Sequence, residues 1–293
     1  METKETKETK ETKRGYLEII SAVGLWGLNS GITARMINMS AFLFYPIASL
    51  FGFLIVLGEL ARKKKLSEAV NVSNKKLLLL VGLLIFLNNG SFYYAIQNTT
   101  ISNAVLLHYL APLFVVLSAS IIIKEEKRSG KKIALAFVGL LGMFIILSPQ
   151  IEAINIGIIA GLASAIFYAA HTLIEKKLTA NVEPLIEVLY KNSVAAGLSV
   201  IVIPIIISQG LFNFEEIIKI VFLGVTALGL GFIFFFKGLG KVSSQNAMVL
   251  TYLETVIAIV LGSIVFGEAI GTNTILGGLL IIGSGIAVVK IKD

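Results

Sequence analysis

The chain has no cysteine, which excludes disulfides, thiolate catalysis and cysteine metal sites. Aspartate is almost missing too: seventeen of the eighteen acidic residues are glutamate, and the sole aspartate is Asp293. That removes the paired intramembrane aspartates of an aspartyl protease and the paired-aspartate metal motif of phosphotransfer enzymes. No GxxxxGK[ST] phosphate loop, HExxH or GxSxG-like nucleophile turn occurs, so ATP-driven transport by this chain alone and an intramembrane enzyme both lack support. Charged residues make up only 15% of the chain, against about 25% in a soluble domain. With two histidines, His108 and His171, a metal would need both rings plus a glutamate from different helices, so neither metal nor cofactor is expected.

Apolar residues fill that gap, at 56% of the chain with a mean hydropathy of +0.88. About 20 apolar residues cross a bilayer core. Ten segments qualify: 15–34, 41–60, 77–97, 102–123, 133–149, 154–174, 185–207, 217–236, 246–266 and 272–289. The first 14 residues, METKETKETKETKR, alternate charge with no apolar residue after Met1 and are expected to be a disordered cytoplasmic tail. They lack the apolar core of a signal peptide, so the first apolar run is expected to be a retained helix.

The net charge of +7 is distributed as a membrane protein would have it, not as a nucleic-acid binder. With the N-terminus inside, the clusters Arg62 to Lys65, Lys75-Lys76, Lys124 to Lys132, Lys176-Lys177, Lys237, Lys241, Lys290 and Lys292 all fall on the inner side. Only Arg35 and Lys219 fall outside. Retained positive charge marks the cytoplasmic face, so both termini are expected inside a multi-pass protein of the cytoplasmic (inner) membrane. The loop clusters, including Lys124, Glu125, Glu126 and Lys127, read as solvated turns that orient the protein against anionic lipid.

Residues 96–144 recur, diverged, as residues 239–287 at an offset of 143. Asn103-Ala104 matches Asn246-Ala247, Leu107 matches Leu250, Tyr109-Leu110 matches Tyr252-Leu253, and Glu125 matches Glu268. Five helices per half is an odd number, so the second half must run inverted. An all-α membrane fold of two inverted five-helix repeats, 15–149 and 150–293, places a site between the halves near mid-bilayer.

The order of Trp26-Gly27-Leu28-Asn29, Tyr94-Ala95, Asn103-Ala104 with Leu110-Ala111-Pro112, Glu125, Asn246-Ala247 with Leu253-Glu254, and Gly267-Glu268 resembles the drug/metabolite transporter superfamily, of the EamA-like type. Thr255 stands where the second repeat of that family usually has proline, and Lys124 where the first usually has glycine. The resemblance implies a secondary transporter, an exporter of small organic metabolites such as amino acids, working by alternating access. A broad-specificity drug efflux transporter, or a receptor that binds without transport, are the alternatives. The implied partners are a small-molecule substrate and membrane lipids, with a homodimer left open and no nucleic acid.

Polar residues inside a bilayer are costly, so each is a functional candidate. Trp26, Asn29, Ser30 and Thr33 share one face of helix 1, and Phe167, Tyr168 and His171 the matching face of helix 6. They are expected to line a cavity, with helix packing as the competing reading. Gly27 and Gly31, spaced GxxxG, predict close packing on an adjacent face. The cluster Asn88 to Tyr94 in helix 3 offers Asn89 and Tyr94, and helix 4 offers His108. His171 and Glu175 are four apart, so they can bond within one helix. Glu254 lies deep in helix 9 and has Ala111 as its repeat-mate, so the fold does not require it. It can serve as a proton site, as an anchor for a substrate amine, or as the structural partner of Lys191, for which Glu187 competes.

Overall fold

The computed structural model describes residues 4–148, 154–211 and 213–291. Among the described residues ten long helices make up the bundle: α1 Lys4–Gly31, α2 Ala41–Arg62, α3 Lys75–Asn98, α4 Ile101–Ile122 and α5 Gly130–Leu147 in the first half. The second half contains α6 Ile156–Leu178, α7 Pro184–Ser208, α8 Phe214–Leu239, α9 Ser244–Phe266 and α10 Thr272–Val289. Among the described residues, the nine from α2 to α10 are long and apolar enough to cross a membrane. α1, diluted by Glu18, Asn29 and Ser30, packs alongside them as the tenth. It starts at Lys4, so the Glu-Thr-Lys triplets expected to be disordered continue the helix. Glu and Lys are good helix formers, and propagation from a packed apolar segment avoids the cost of nucleation. At its other end α1 stops at Gly31, short of the expected residue 34, and a single 3₁₀ turn, Thr33–Met36, follows.

The duplication is visible in the helix starts. Thr100 caps α4 by accepting from the Asn103 amide, and its repeat-mate Ser243 caps α9 by accepting from the Asn246 amide. A hydroxyl at this position satisfies one of the helix's free N–H groups. The same pair of helices then breaks at matching points. α4 divides into Ile101–His108 and Ala111–Ile122, and α9 into Ser244–Thr251 and Leu253–Phe266. Pro112 accounts for the first break, since it lacks an N–H and its ring clashes with the preceding turn. α9 breaks without a proline. What the two breaks share is Tyr109 and Tyr252, buried with ring centroids 6.1 Å apart where the helices cross.

Helix pairing obeys the inverted two-fold. α1 packs on α8 and α9 of the other half, and its mate α6 packs on α3 and α4; α2 pairs with α7 and α5 with α10. The first helices are therefore exchanged between halves. Small residues permit the close approaches: Gly27 and Gly31 of α1 lie against Ile257 and Ala258 of α9, and Gly142 of α5 lies against the backbone of Gly277 in α10.

α8 contains a π-helical stretch, Gly224–Gly231. A π segment shifts backbone bonds out of the α register and marks functional positions in many helices. Here side chains from neighbouring helices bond to it. The Trp26 indole N–H donates to the Ala227 carbonyl at 3.2 Å, and Asn192 of α7 donates to the Leu228 carbonyl at 2.9 Å.

Candidate functional site

Contacts between loops sort the molecule into two ends. At the basic end, Lys65 bonds Glu183 at 2.6 Å, tying the α2–α3 loop to the α6–α7 loop and holding the Lys65 ammonium above its ordinary pKa. Lys176 donates to the Leu239 and Val242 carbonyls, both at 2.6 Å, and Lys241 pairs with Glu18. At the opposite end Glu216 accepts from the Asn38 amide at 2.8 Å, and Lys219 donates to the Met36 carbonyl at 2.9 Å.

One residue at the basic end corrects the expectation of a solvated turn. Lys124, Glu125 and Lys127 are exposed, but Glu126 is buried. Its carboxylate accepts from the Ser244 amide at 2.6 Å and hydroxyl at 3.0 Å, and from the Gln245 amide at 3.3 Å and side chain at 3.1 Å. A carboxylate at a helix N-terminus meets both free N–H groups and the positive end of the dipole. Lys132, also buried, donates to Ser243 at 3.1 Å. The loop of the first half thus clamps the start of α9.

The bundle centre is aromatic. His108 stacks on Tyr168 with centroids 5.1 Å apart, Tyr168 on His171 at 5.1 Å, and Phe92 lies 4.4 Å from His108. The His108 Nδ1 is 3.1 Å from the Ser164 hydroxyl. The sequence-predicted residues His108, Tyr168 and His171 therefore form one run of rings through α4 and α6. Glu254 stands beside it, two residues past the α9 break. Hydroxyls of Tyr109 and Ser30 turn toward its carboxylate, and Tyr93 and Tyr168 lie within reach of its charge. Glu254 itself is half-buried. Among the described residues no cationic side chain pairs with Glu254. Lys191, the expected partner, instead bonds Glu175 at 2.8 Å and lies over the Phe232 and Phe236 rings, 3.9 and 4.7 Å from their centroids. The cause is placement: α6 presents Glu175 directly to α7, and the faces of two rings favour an ammonium there. His171 Nδ1 is 3.1 Å from the same Glu175 oxygen, the intrahelical pairing that the spacing allowed.

Other candidates have packing roles in this arrangement. Asn29 is buried, donating to the Leu25 carbonyl at 2.7 Å and to Thr226 at 2.9 Å. Asn89 donates to the Tyr45 hydroxyl at 2.8 Å and to the Ile85 carbonyl at 2.9 Å. Tyr94 stands on the outer face at 41% exposure, away from the ring cluster; its neighbour Tyr93 occupies the inner position, near Phe44, Tyr45 and Phe92. A lateral apolar pocket of about 140 Å³ opens beside Tyr45, Phe86 and Tyr93, between α2, α3 and α7. The sequence reading missed Tyr93 and Tyr109 as neighbours of Glu254. For Tyr109 the signal was the repeat itself, since Tyr109 and Tyr252 are a matched pair; Tyr93, whose repeat-mate is Phe236, had none.

Trp26 was expected to line the cavity with few packing neighbours. Its ring lies 5.7 Å from Phe232 and 5.1 Å from Phe235, and its indole holds the π segment. Trp26→Ala is therefore expected to lower stability by about 3 kcal/mol, read as a drop in melting temperature, whereas Trp26→Phe retains most of the packing and loses only the bond to Ala227. Equal melting temperatures for Trp26→Ala and the parent would leave the indole a cavity wall only.

The EamA-like transporter family matches the chain twice, at residues 13–148 and 155–290. A protein of Archaeoglobus fulgidus named as an uncharacterized transporter is 29% identical over 205 residues, covering 69% of this chain and 73% of its own. An S-adenosylmethionine uptake transporter of Rickettsia conorii is 24% identical over 204 residues, 70% of this chain and 68% of its own. A crystal structure aligns with a TM-score of 0.79 at 19% identity, over 94% of this chain and 96% of that one, a likeness of fold.

Proposed function

The chain belongs to the EamA-like transporter family, and from that premise we infer that it is a secondary transporter for small organic metabolites with a cationic group, such as amino acids. Glu254 is the observation that carries the substrate class. A carboxylate without a cationic partner among the described residues, set among tyrosine hydroxyls and the His108–Tyr168 rings, is built to receive a cation from outside the protein. Carboxylate and ring faces attract an ammonium or sulfonium, and the apolar walls take its organic remainder. S-adenosylmethionine, named for the Rickettsia relative, has both such groups.

The halves, 15–149 and 150–293, rock about this centre in alternating access. The resemblance implies export, and the relative's name says uptake. Without a nucleotide site the direction follows the gradients, and we assign export to the case where the metabolite is concentrated inside. The basic end faces the cytoplasm, with both termini there, in the cytoplasmic membrane.

Thermal stabilisation of the purified full-length protein by pooled amino acids, nucleosides, sugars and S-adenosylmethionine, followed by counterflow in proteoliposomes, tests this reading. Amine- or sulfonium-bearing compounds should stabilise the protein and exchange, and neutral sugars should not. Binding without exchange would make the protein a receptor.

Orientation has its own test. The chain has no native cysteine, so single cysteines at Ser67 and Asn273 are unambiguous reporters. On intact cells an impermeant thiol reagent is expected to label Asn273→Cys and to spare Ser67→Cys. The reverse pattern would turn the protein over in the membrane.

A further inference from the structure

The tightest cluster of ionisable groups is not the one that surrounds Glu254. It lies between α6 and α7, toward the basic end, and contains Glu175, Lys191, His171 and Glu187, each no more than 2% exposed. Three of them are joined: Glu175 Oε1 is 2.8 Å from the Lys191 ammonium and 3.1 Å from His171 Nδ1. Glu187 is left out. It sits one helical turn before Lys191, the spacing at which the two can pair, yet the ammonium is turned to α6. Both Glu187 oxygens are buried without a hydrogen-bond partner among the described residues. Among the described residues the charged groups acting on it are Glu175 of α6 and Lys191 of its own helix; α2, α3 and α8, on which α7 also packs, add none.

An ionised carboxylate in that position is strongly disfavoured. It would be the second negative charge beside a single ammonium already committed to the first, with no donor to replace water. The same carboxyl carrying a proton is merely a buried neutral acid. Glu187 is also only three residues into α7, about 5 Å from the helix start at 1.5 Å per residue, so water at the basic end is close.

We propose that Glu187 binds a proton exchangeable with the basic end, and that this proton couples to transport through a change of partner by Lys191. When the Glu187 O–H bond breaks and its proton passes to water, the carboxylate left behind attracts the Lys191 ammonium from Glu175. Glu175, stripped of its cation, takes up one proton, with His171 beside it, from water that reaches the cluster from the side of the ring run. The cluster then holds the same total charge, with the extra proton now on the Glu175–His171 side and next to the ring run that leads to Glu254. Coupling rests on the transport reading above; occupancy of Glu187 by a proton does not.

Infrared difference spectroscopy of the full-length protein in lipid vesicles tests occupancy. At neutral pH the wild type should show the C=O stretch of a protonated carboxyl, shifted in D2O. Glu187→Gln should lack that component, and Glu254→Gln should keep it. Glutamine matches the neutral acid in shape, so Glu187→Gln should melt with the parent; Glu187→Leu, which needs no polar partner, serves if it does not. An unchanged protonated-carboxyl band in Glu187→Gln and Glu187→Leu overturns the proton site. For any compound that shows counterflow, accumulation driven by a pH gradient should fall to the leak level in Glu187→Gln while equal-pH counterflow persists. Undiminished gradient-driven accumulation overturns the coupling. If no compound exchanges at all, the transport reading fails and the carboxyl band still decides whether Glu187 holds the proton.

Discussion

Glu254→Gln weakens the binding of an amine-bearing substrate by roughly thirtyfold or more, because truncating a buried charge partner costs about 2–5 kcal/mol. The substitution retains shape and hydrogen-bonding capacity and removes only the negative charge. The neighbouring Tyr109 and Ser30 hydroxyls can bond to the glutamine oxygen, so the fold should be kept and the melting temperature should stay near that of the parent. Counterflow of amino acids or S-adenosylmethionine by the reconstituted variant is the measurement. An analogue without the cationic group should bind variant and parent alike, which separates loss of charge recognition from damage to the cavity. Wild-type flux with an unchanged pH profile in Glu254→Gln would rule the residue out as both anchor and coupling group.

The largest expected effect on stability comes from a loop. Glu126→Ala removes the acceptor for two amides, one hydroxyl and one side-chain amide at the start of α9, leaving buried donors unsatisfied. At about 1–3 kcal/mol for stranded buried donors, the loss is about 3 kcal/mol, a fall in melting temperature of roughly 6–12 °C for a chain of this size. Glu125→Ala next door, exposed, should change nothing and is the control. Glu126→Gln should recover part of the difference, since its carbonyl oxygen still accepts. The clamp joins the first half to the second at the basic end, and the repeat does not copy it: the repeat-mate of Glu126 is Ala269, which has no carboxylate. Loosening it should therefore expose a cysteine placed at Ser244 to thiol reagents more than one placed at Ser102.

Helix number, inverted repetition and a close-packed face on α1 were legible in the sequence because each rests on pattern; that α9 is the helix this face meets was not. Apolar length, basic loops, an offset of 143 and the Gly27–Gly31 spacing survive without knowledge of packing. The π segment in α8 was not legible, because its stability comes from Trp26 and Asn192, residues about 200 and 35 positions away. Pairing of charges was half legible. The spacing identified His171 with Glu175, an interaction within one helix. It could not choose among Glu175, Glu187 and Glu254 for Lys191, since depth along a helix says nothing about which neighbour it faces. Glu126 was misread for the same reason: its loop is as charged as a solvated turn, and only the inverted return of α9 brings the free amides that bury it.

The exchange of α1 and α6 between halves has a consequence for how the molecule is made. During synthesis α1 emerges before the helices it packs on, α8 and α9, which are translated only after residue 213. Until then Asn29 lacks Thr226 and the Trp26 indole lacks the Ala227 carbonyl. In lipid such unmet groups favour holding the helix near the insertion machinery over early release. The second half meets no such delay, because α3 and α4 are already in place when α6 arrives. The repeats are alike in structure and opposite in history: one waits for its partner, and the other is born beside it.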